Sequence, residues 1–476
     1  MTRDSSDTAD ANGVGKRIYR LTDSIDDCLH YRLDIRDLHR RMAFTACALT
    51  AERYGANLQA VKGEGYAALH AAIGSVLSDA EEQGAGNGKI STLLQEYSVI
   101  RTDTAADVDI VDNLIDWITE IFECVSSPSW HGEDVMGIMF SEFGRNGRKS
   151  DFGQIFTPEH IADFMCRILD VKADDYVLDA ACGSGGILVK SMARMMASAG
   201  AEKGICNKSG RLFGIEIDKE IYALACANML IHGFGSMSLT RMDTRTPEAC
   251  SWIRSKQITK VMMNPPYENR YGCMDIVENV MDNVPAHTCC AFILPERKLE
   301  KAGKARMGRI LSHHRLLKII KLPDMLFPGV SIETSIFMFE TGIPQDNASI
   351  FACHMESDGL ETIKNRGRHD IHGRWQEIEN HWVDVVTCEG GDKTCQRIDP
   401  AEHLSYQMPR RPFMIAEEDF RKTAMDYLMY RKGVDAKTFN RRLTDTILYS
   451  GHASAGKGSV TVTMPAAGRD DDHGKD

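Results

Sequence analysis

Apolar positions recur at helical spacing through the first part of the chain. From Lys16 to about Gly55 they fall at Ile18, Leu21, Ile25, Cys28 and Leu29, then at Leu33, Ile35, Leu38, Met42 and Cys47. That three-and-four spacing lines one face of a helix. Similar stretches predict helices at 64–80, 89–98 and 107–125, with a Gly-rich break, EEQGAGNGK, at 82–90. From about residue 150 the pattern changes, and short β-rich runs alternate with helical ones. YVLDA (176–180) precedes a helical GILVKSMARMM, and RLFGIEI (211–217) precedes a helical KEIYALACANMLIHG. Then come SMSLTRMD, KVMMNPP, a helical stretch near 275–283, CCAFILP (289–295), LLKIIKLP (316–323) and SIETSIFMFE (331–340). Strands alternating with helices predict an α/β fold, a doubly wound and mostly parallel sheet, preceded by an all-helical region. The final runs lack a clear crossover helix between them and are expected to form an antiparallel hairpin at that end.

These patterns give an expected organisation. Residues 1–14 are polar and expected to be disordered; 15–145 form a helical N-terminal domain; 146–400 form the α/β domain. Residues 401–450 form a C-terminal helical segment, and the Gly/Ala/Ser-rich 451–476 is expected to be a disordered tail. The helical domain shows no catalytic constellation and reads as a scaffold or partner-binding bundle. Residues 341–400 are too mixed to assign.

Composition narrows the class. At 43% hydrophobic and 26% charged, the 476 residues are neither a wholly disordered nor a fibrous chain. The formal charge is −12, with 68 acidic against 56 basic side chains. Work on a polyanion would then need a local basic cleft or a partner that brings positive charge. The 14 cysteines include no CxxC pair, which excludes zinc-knuckle and thioredoxin readings. They read as small core residues in a reducing compartment. With neither a signal-peptide pattern nor an apolar run near ~18 residues, the expected location is the cytoplasm, with no membrane span.

The strongest local signal is VLDAACGSGGILV, 177–189. An apolar strand ends at Asp179, a turn follows with Gly183, Ser184, Gly185 and Gly186, and a helix begins. Glycines let backbone approach a ligand closely, and the new helix offers free N–H groups. The Lys-Ser/Thr of a P-loop is missing, so triphosphate binding is not expected. About 30 residues on, a second strand ends at Glu216, where a carboxylate can take both ribose hydroxyls. This pair fits NAD or S-adenosylmethionine equally well.

VMMNPPYENR, 261–270, discriminates further. An apolar strand runs into Asn264-Pro265-Pro266-Tyr267. The two prolines stiffen the loop and remove two N–H donors. What remains is an acceptor surface, the Asn264 side-chain oxygen and the Pro265 carbonyl, suited to an NH₂ group with two hydrogens to give. Tyr267 offers a flat face for stacking a planar substrate, a role that Tyr267→Phe would preserve.

Together these residues resemble the amino-methylating class I methyltransferases that use S-adenosylmethionine. DFGQIFTPEHIADFM (151–165) resembles the segment that opens the catalytic domain of type I restriction-modification methylation subunits. LPDMLFPGVSIETSIFMFETG (322–342) is similar to a later segment of the same family, and the order of motifs also matches over roughly 15–450. Two departures are visible: Ile155 stands where the family usually has an aromatic, and Ala180 where proline is common.

The resemblance implies an adenine-specific DNA methyltransferase whose substrate is double-stranded DNA. Its partners would be a separate specificity subunit, since no target-recognition domain is evident, and a restriction subunit. Gln154, Ile155, Phe156, Thr157, Pro158 and Glu159 would line the methionine end of S-adenosylmethionine. Asp179 would reach the methionine amino group, directly or through water. Gly183, Ser184, Gly185 and Gly186 would present backbone to the cofactor, Glu216 would hold the ribose, and Asp243 would meet the cofactor's adenine amino group. The target adenine would leave the duplex, with Asn264 and Pro265 accepting from its amino group, Pro266 stiffening the loop and Tyr267 stacking. No metal is expected. The alternatives are a non-catalytic assembly subunit that retains the fold, and a protein-glutamine methyltransferase.

Overall fold

The computed structural model describes residues 5–102, 106–127, 130, 132–143, 157–198, 210–268, 272–327, 332–363, 367–409, 417–435, 438–439, 453–456 and 459–462. Contacts divide the chain into two units, Met1–Gln407 and Met408–Asp476.

The first unit opens with helices α1 (Ser5–Asp27), α2 (Leu38–Arg53), α3 (Tyr66–Glu82), α4 (Lys89–Tyr97), α5 (Val108–Ser126) and α6 (Val135–Phe143). Helix α1 starts at Ser5, inside the stretch read as a loose terminus, so the polar composition there does not prevent a helix. Asp37 caps α2 by accepting a hydrogen bond from the Arg40 N–H. Helix α5 buries Val111, Leu114, Ile115, Ile118 and Ile121, the stripe that its sequence spacing predicts.

Among the described residues the sheet has nine strands: β1 (Val177–Asp179), β2 (Leu212–Glu216), β3 (Ser238–Arg241), β4 (Lys260–Met263), β5 (Cys289–Pro295), β6 (His314–Lys321), β7 (Thr334–Thr341), β8 (Ile350–His354) and β11 (Gln396–Ile398), with β9 (Glu361–Ile363) and β10 (Gly367–His369) forming a separate two-stranded sheet. Their order is β11-β8-β6-β7-β5-β4-β1-β2-β3. Strands β3, β2, β1, β4 and β5 run parallel to one another. Strand β7 runs antiparallel between β5 and β6, so the two final runs do pair as expected, with β7 inserted next to β5. Strands β8 and β11 extend this edge, and they account for part of the unassigned 341–400 region.

Helices cover both faces: α7 (Glu159–Ile168), α8 (Gly186–Ser198), α9 (Lys219–Ile231), α10 (Pro247–Arg254), α11 (Cys273–Asn283), α12 (Lys298–Lys301), α13 (Lys304–His313) and α14 (Trp375–Cys388). Alternation along the strands divides the apolar residues between two cores. Met262, Ala291 and Ile293 join Phe164 and Leu188 in one, while Val261, Met263, Phe292 and Leu294 join Val277 and Ile310 in the other.

A third core belongs to the N-terminal helices, but its floor is α9, the crossover helix after β2. Ile221, Leu224, Leu230 and Ile231 are buried there against Phe44, Leu49 and Ile90. The helical region and the sheet therefore share packing across the boundary expected near residue 145.

In the second unit, α15 (Glu417–Arg431) falls within the expected helical segment. Strands β12 (Ala453–Gly456) and β13 (Ser459–Val462) pair antiparallel inside the stretch read as a disordered tail. Among the described residues, no helix is long and apolar enough to cross a membrane.

Candidate active site

The parallel strands β1, β2, β3 and β4 end at one edge of the sheet. Between β1 and β4 the chain reverses its direction of travel across the sheet, which opens a crevice at the strand ends. Asp179 closes β1 and is 1% exposed. It accepts a hydrogen bond from the Ala181 N–H at 3.1 Å. Burial, aided by the neighbouring Glu216 charge, pushes its carboxyl up to about 8 against that bond. No described side chain forms an ion pair with it, so the pocket favours an incoming cation.

Glu216 closes β2. One of its oxygens accepts from the Gly183 N–H at 3.0 Å, the other from the N–H groups of Ile217 and Asp218 at 2.8 and 2.9 Å. Burial raises its pKa, and these three amides oppose the rise. The carboxylate thus pins the Gly turn to the start of α9, and the oxygen that accepts only from Gly183 keeps a lone pair for a ligand hydroxyl. Gly183 and Gly185 adopt φ of 55° and 88°, values a side chain would strain. Glu216→Ala is expected to weaken S-adenosylmethionine binding about tenfold or more, because a charge-assisted acceptor is lost and the turn is released. Calorimetric titration checks this, and unchanged affinity would mean that the role of the β2 end is misassigned.

Asp243, past the end of β3, is tied to Arg245 at 2.6 Å, which holds its carboxylate below the usual range. Its neighbour Thr244 donates to the Ala180 carbonyl at 2.6 Å and fixes this loop to the β1 end. Thr157 and Pro158 lead into α7, and Glu159 in its first turn pairs with Lys190 at 2.6 Å. Gln154, Ile155 and Phe156 lie outside the described residues.

At the end of β4, Pro265 is buried, Pro266 is exposed and Asn264 lies between these extremes. The Tyr267 hydroxyl donates to the Asn264 side-chain oxygen at 2.7 Å. Its ring is 9% exposed and meets Phe327 edge-on at 6.1 Å. The Lys298 ammonium donates to the Tyr267 carbonyl at 3.0 Å. The ring is thus largely packed away in this structure, and the hydroxyl holds the Asn264 side-chain oxygen. Tyr267→Phe would remove this hydrogen bond.

Sequence reasoning missed the support behind the Gly turn. Asp134, just before α6, is buried, and one of its oxygens accepts from the Gly137 N–H at 2.9 Å and from the Asn228 side-chain amide at 2.7 Å. The same Asn228 nitrogen donates to the Ser184 carbonyl at 2.9 Å. Asp134 thus links the helical region to the turn through one amide. Its other oxygen sits 2.3 Å from where a Cβ on Gly186 would be, so Gly186 also serves this close approach. Burial pushes the Asp134 carboxyl up to about 6. The only sequence signal was an acidic residue before an apolar helix, which reads as an ordinary cap. Asp134→Ala is expected to cost about 1–3 kcal/mol by stranding buried donors, and to weaken cofactor binding. Asp134→Asn keeps the single accepting oxygen and should behave much closer to wild type. Thermal denaturation with and without S-adenosylmethionine distinguishes the two variants.

Residues 133–305 match the family model for the N-6 DNA methylase. Over 317 residues the chain is 27% identical to the type II restriction enzyme and methyltransferase RM.BcgI of Heyndrickxia coagulans, covering 63% of this chain and 50% of that one. It is 32% identical over 276 residues to the type I restriction enzyme MjaVII methylase subunit of Methanocaldococcus jannaschii, covering 49% and 46%. The chain spans about half the length of the curated relatives it matches. Among solved structures, the type I restriction-modification system methyltransferase subunit from Streptococcus thermophilus superposes with a TM-score of 0.54 at 16% identity, over 81% of this chain and 96% of that one. A chain from a study of assembly and conformational transition in the type I system gives 0.57 at 17% identity, over 91% and 98%. At these identities the likeness is one of fold.

Proposed function

We propose, from the match of residues 133–305 to the N-6 DNA methylase family model, that the chain transfers a methyl group from S-adenosylmethionine to the exocyclic amino group of adenine in double-stranded DNA. We place it as the modification subunit of a type I restriction-modification system in the cytoplasm, working with a separate specificity subunit and a restriction subunit. The observation that carries this is the meeting, at one sheet edge, of two buried carboxyl groups and a proline-stiffened pair of acceptors. The exposed Phe420, Tyr427, Leu428 and Tyr430 of α15 support a partner subunit.

The buried acids fit the cofactor: Asp179 suits its ammonium group, and Glu216 its ribose hydroxyls. S-adenosylmethionine supplies an activated methyl group on a sulfonium. Asn264 and Pro265 accept both hydrogens of the target amino group and aim the nitrogen lone pair along the line of transfer. As the new N–C bond forms, the methyl–sulfur bond would break, the sulfur would leave as a neutral thioether and the nitrogen would then lose a proton to water, so alignment is the main contribution of the chain. Tyr267 is a positioning residue that fixes the Asn264 oxygen. The intact Tyr267–Asn264 bond speaks against a non-catalytic subunit.

The test is radiolabelled methyl transfer to duplex DNA by the chain with its specificity partner, joined to single-molecule sequencing of host DNA with and without the gene. Label in adenine at one sequence motif is expected. Label in protein, or none, would sink the reading.

A further inference from the structure

The net charge of −12 leaves open how the chain meets a polyanion. Residues 296–309, ERKLEKAGKARMGR, run against that balance, with six basic side chains and two acidic ones. They begin at the end of β5, one strand from Asn264, and take in α12 and the first six residues of α13.

The basic side chains do two different jobs. Lys298 holds the Tyr267 carbonyl, while Arg306 bonds Asp275 at 2.6 Å and Arg309 bonds Glu278 at 2.8 Å. These three tie the segment to the Asn264 loop and to α11, the helix that follows it. Arg297, Lys301 and Lys304 are exposed and form no ion pair with another described residue. The two local acids are engaged elsewhere: Glu296 with Lys321 at 3.3 Å, and Glu300 with the Ser405 hydroxyl at 2.7 Å. Three uncompensated cations therefore stand on a segment anchored to the loop that receives the target base.

We propose that Arg297, Lys301 and Lys304 form a phosphate-binding ridge that grips the DNA backbone beside the extruded adenine; this rests on the methyltransferase reading above. Holding the phosphates next to a flipped nucleotide keeps the distorted strand in register with the site. The anchoring contacts make the ridge and the Asn264 loop move as one piece.

The test uses the full-length chain and a labelled duplex of unrelated sequence, because non-specific binding is electrostatic and needs no recognition subunit. Binding is followed by fluorescence anisotropy across salt concentrations. The triple variant Arg297→Ala, Lys301→Ala, Lys304→Ala should lower the salt slope by about three. Between 50 and 200 mM salt, wild type should then lose about 40-fold more affinity than the variant. S-adenosylmethionine affinity should not change, which shows that the variant is folded. Lys301→Arg with Lys304→Arg should keep the wild-type slope. An unchanged slope in the alanine variant, or no duplex binding by wild type, overturns the proposal. So does a variant that keeps its DNA slope but no longer binds the specificity subunit, since the ridge would then be a protein interface. Failure of the methyltransferase reading looks different: wild type binds DNA with the steep slope, yet labels no adenine.

Discussion

Asn264→Ala is expected to lower methyl transfer by about 10²–10³ while leaving S-adenosylmethionine binding intact. The oxygen it removes lies at the end of β4, in a loop where both prolines lack N–H groups. That contact matters most as charge develops on the attacking nitrogen, so its loss should appear in kcat rather than in cofactor affinity. The structure adds a second arm to the test. Because the Tyr267 hydroxyl donates to the same oxygen, Tyr267→Phe should slow transfer by roughly tenfold, the worth of one buried neutral hydrogen bond. Radiolabelled transfer with the specificity partner, alongside cofactor titration, measures both. Near wild-type transfer by Asn264→Ala would leave the loop as a mere strand-end turn.

S-adenosylmethionine affinity is expected to fall by up to about tenfold per pH unit below about pH 8, and to level off above it. The sign follows from Asp179. Its folded carboxyl is raised to about 8, so the free protein carries it neutral at lower pH. A bound ammonium favours the ionised form, so binding there must release a proton, which becomes harder as pH falls. For the free protein the linkage runs the other way. The carboxyl titrates near 3.8 when unfolded, so the stability it contributes is present at low pH and is lost as pH rises through about 8. Calorimetry in buffers of different ionisation enthalpy counts the released proton. Asp179→Asn should flatten the profile at a weakened affinity. A profile unchanged in that variant would move the titration to another group, Glu216 being the nearest.

The residues whose place was legible in the sequence share one property: that place is set by a few neighbours along the chain. Asp179 ends an apolar run before a glycine turn, Glu216 ends the next strand, and Asn264 precedes two prolines. Each motif encodes its own strand end, and parallel pairing with alternating burial carries the ends to one edge. The N-terminal helices were readable for the same reason, because their apolar stripes repeat within one or two turns.

What only the tertiary structure decided lies in pairs far apart in sequence. Asp134 and Asn228 are 94 residues apart, and nothing local marks either as a partner of the Gly turn. The ion pair of Glu159 with Lys190 and the packing of α9 under the N-terminal helices are further matches that no local pattern announces. The pairing of 453–456 with 459–462 was hidden for a related reason, since small residues in a Gly/Ala/Ser-rich stretch carry little period-2 signal. Tyr267 shows the boundary within a single motif. Its place beside Asn264 is written in the chain, but whether the ring lies open or packs against Phe327 depends on a side chain 60 residues downstream. Sequence patterning specifies which surface of an element is buried, whereas the partner of each buried polar group follows from how the folded elements bring distant backbone and side chains within hydrogen-bonding reach.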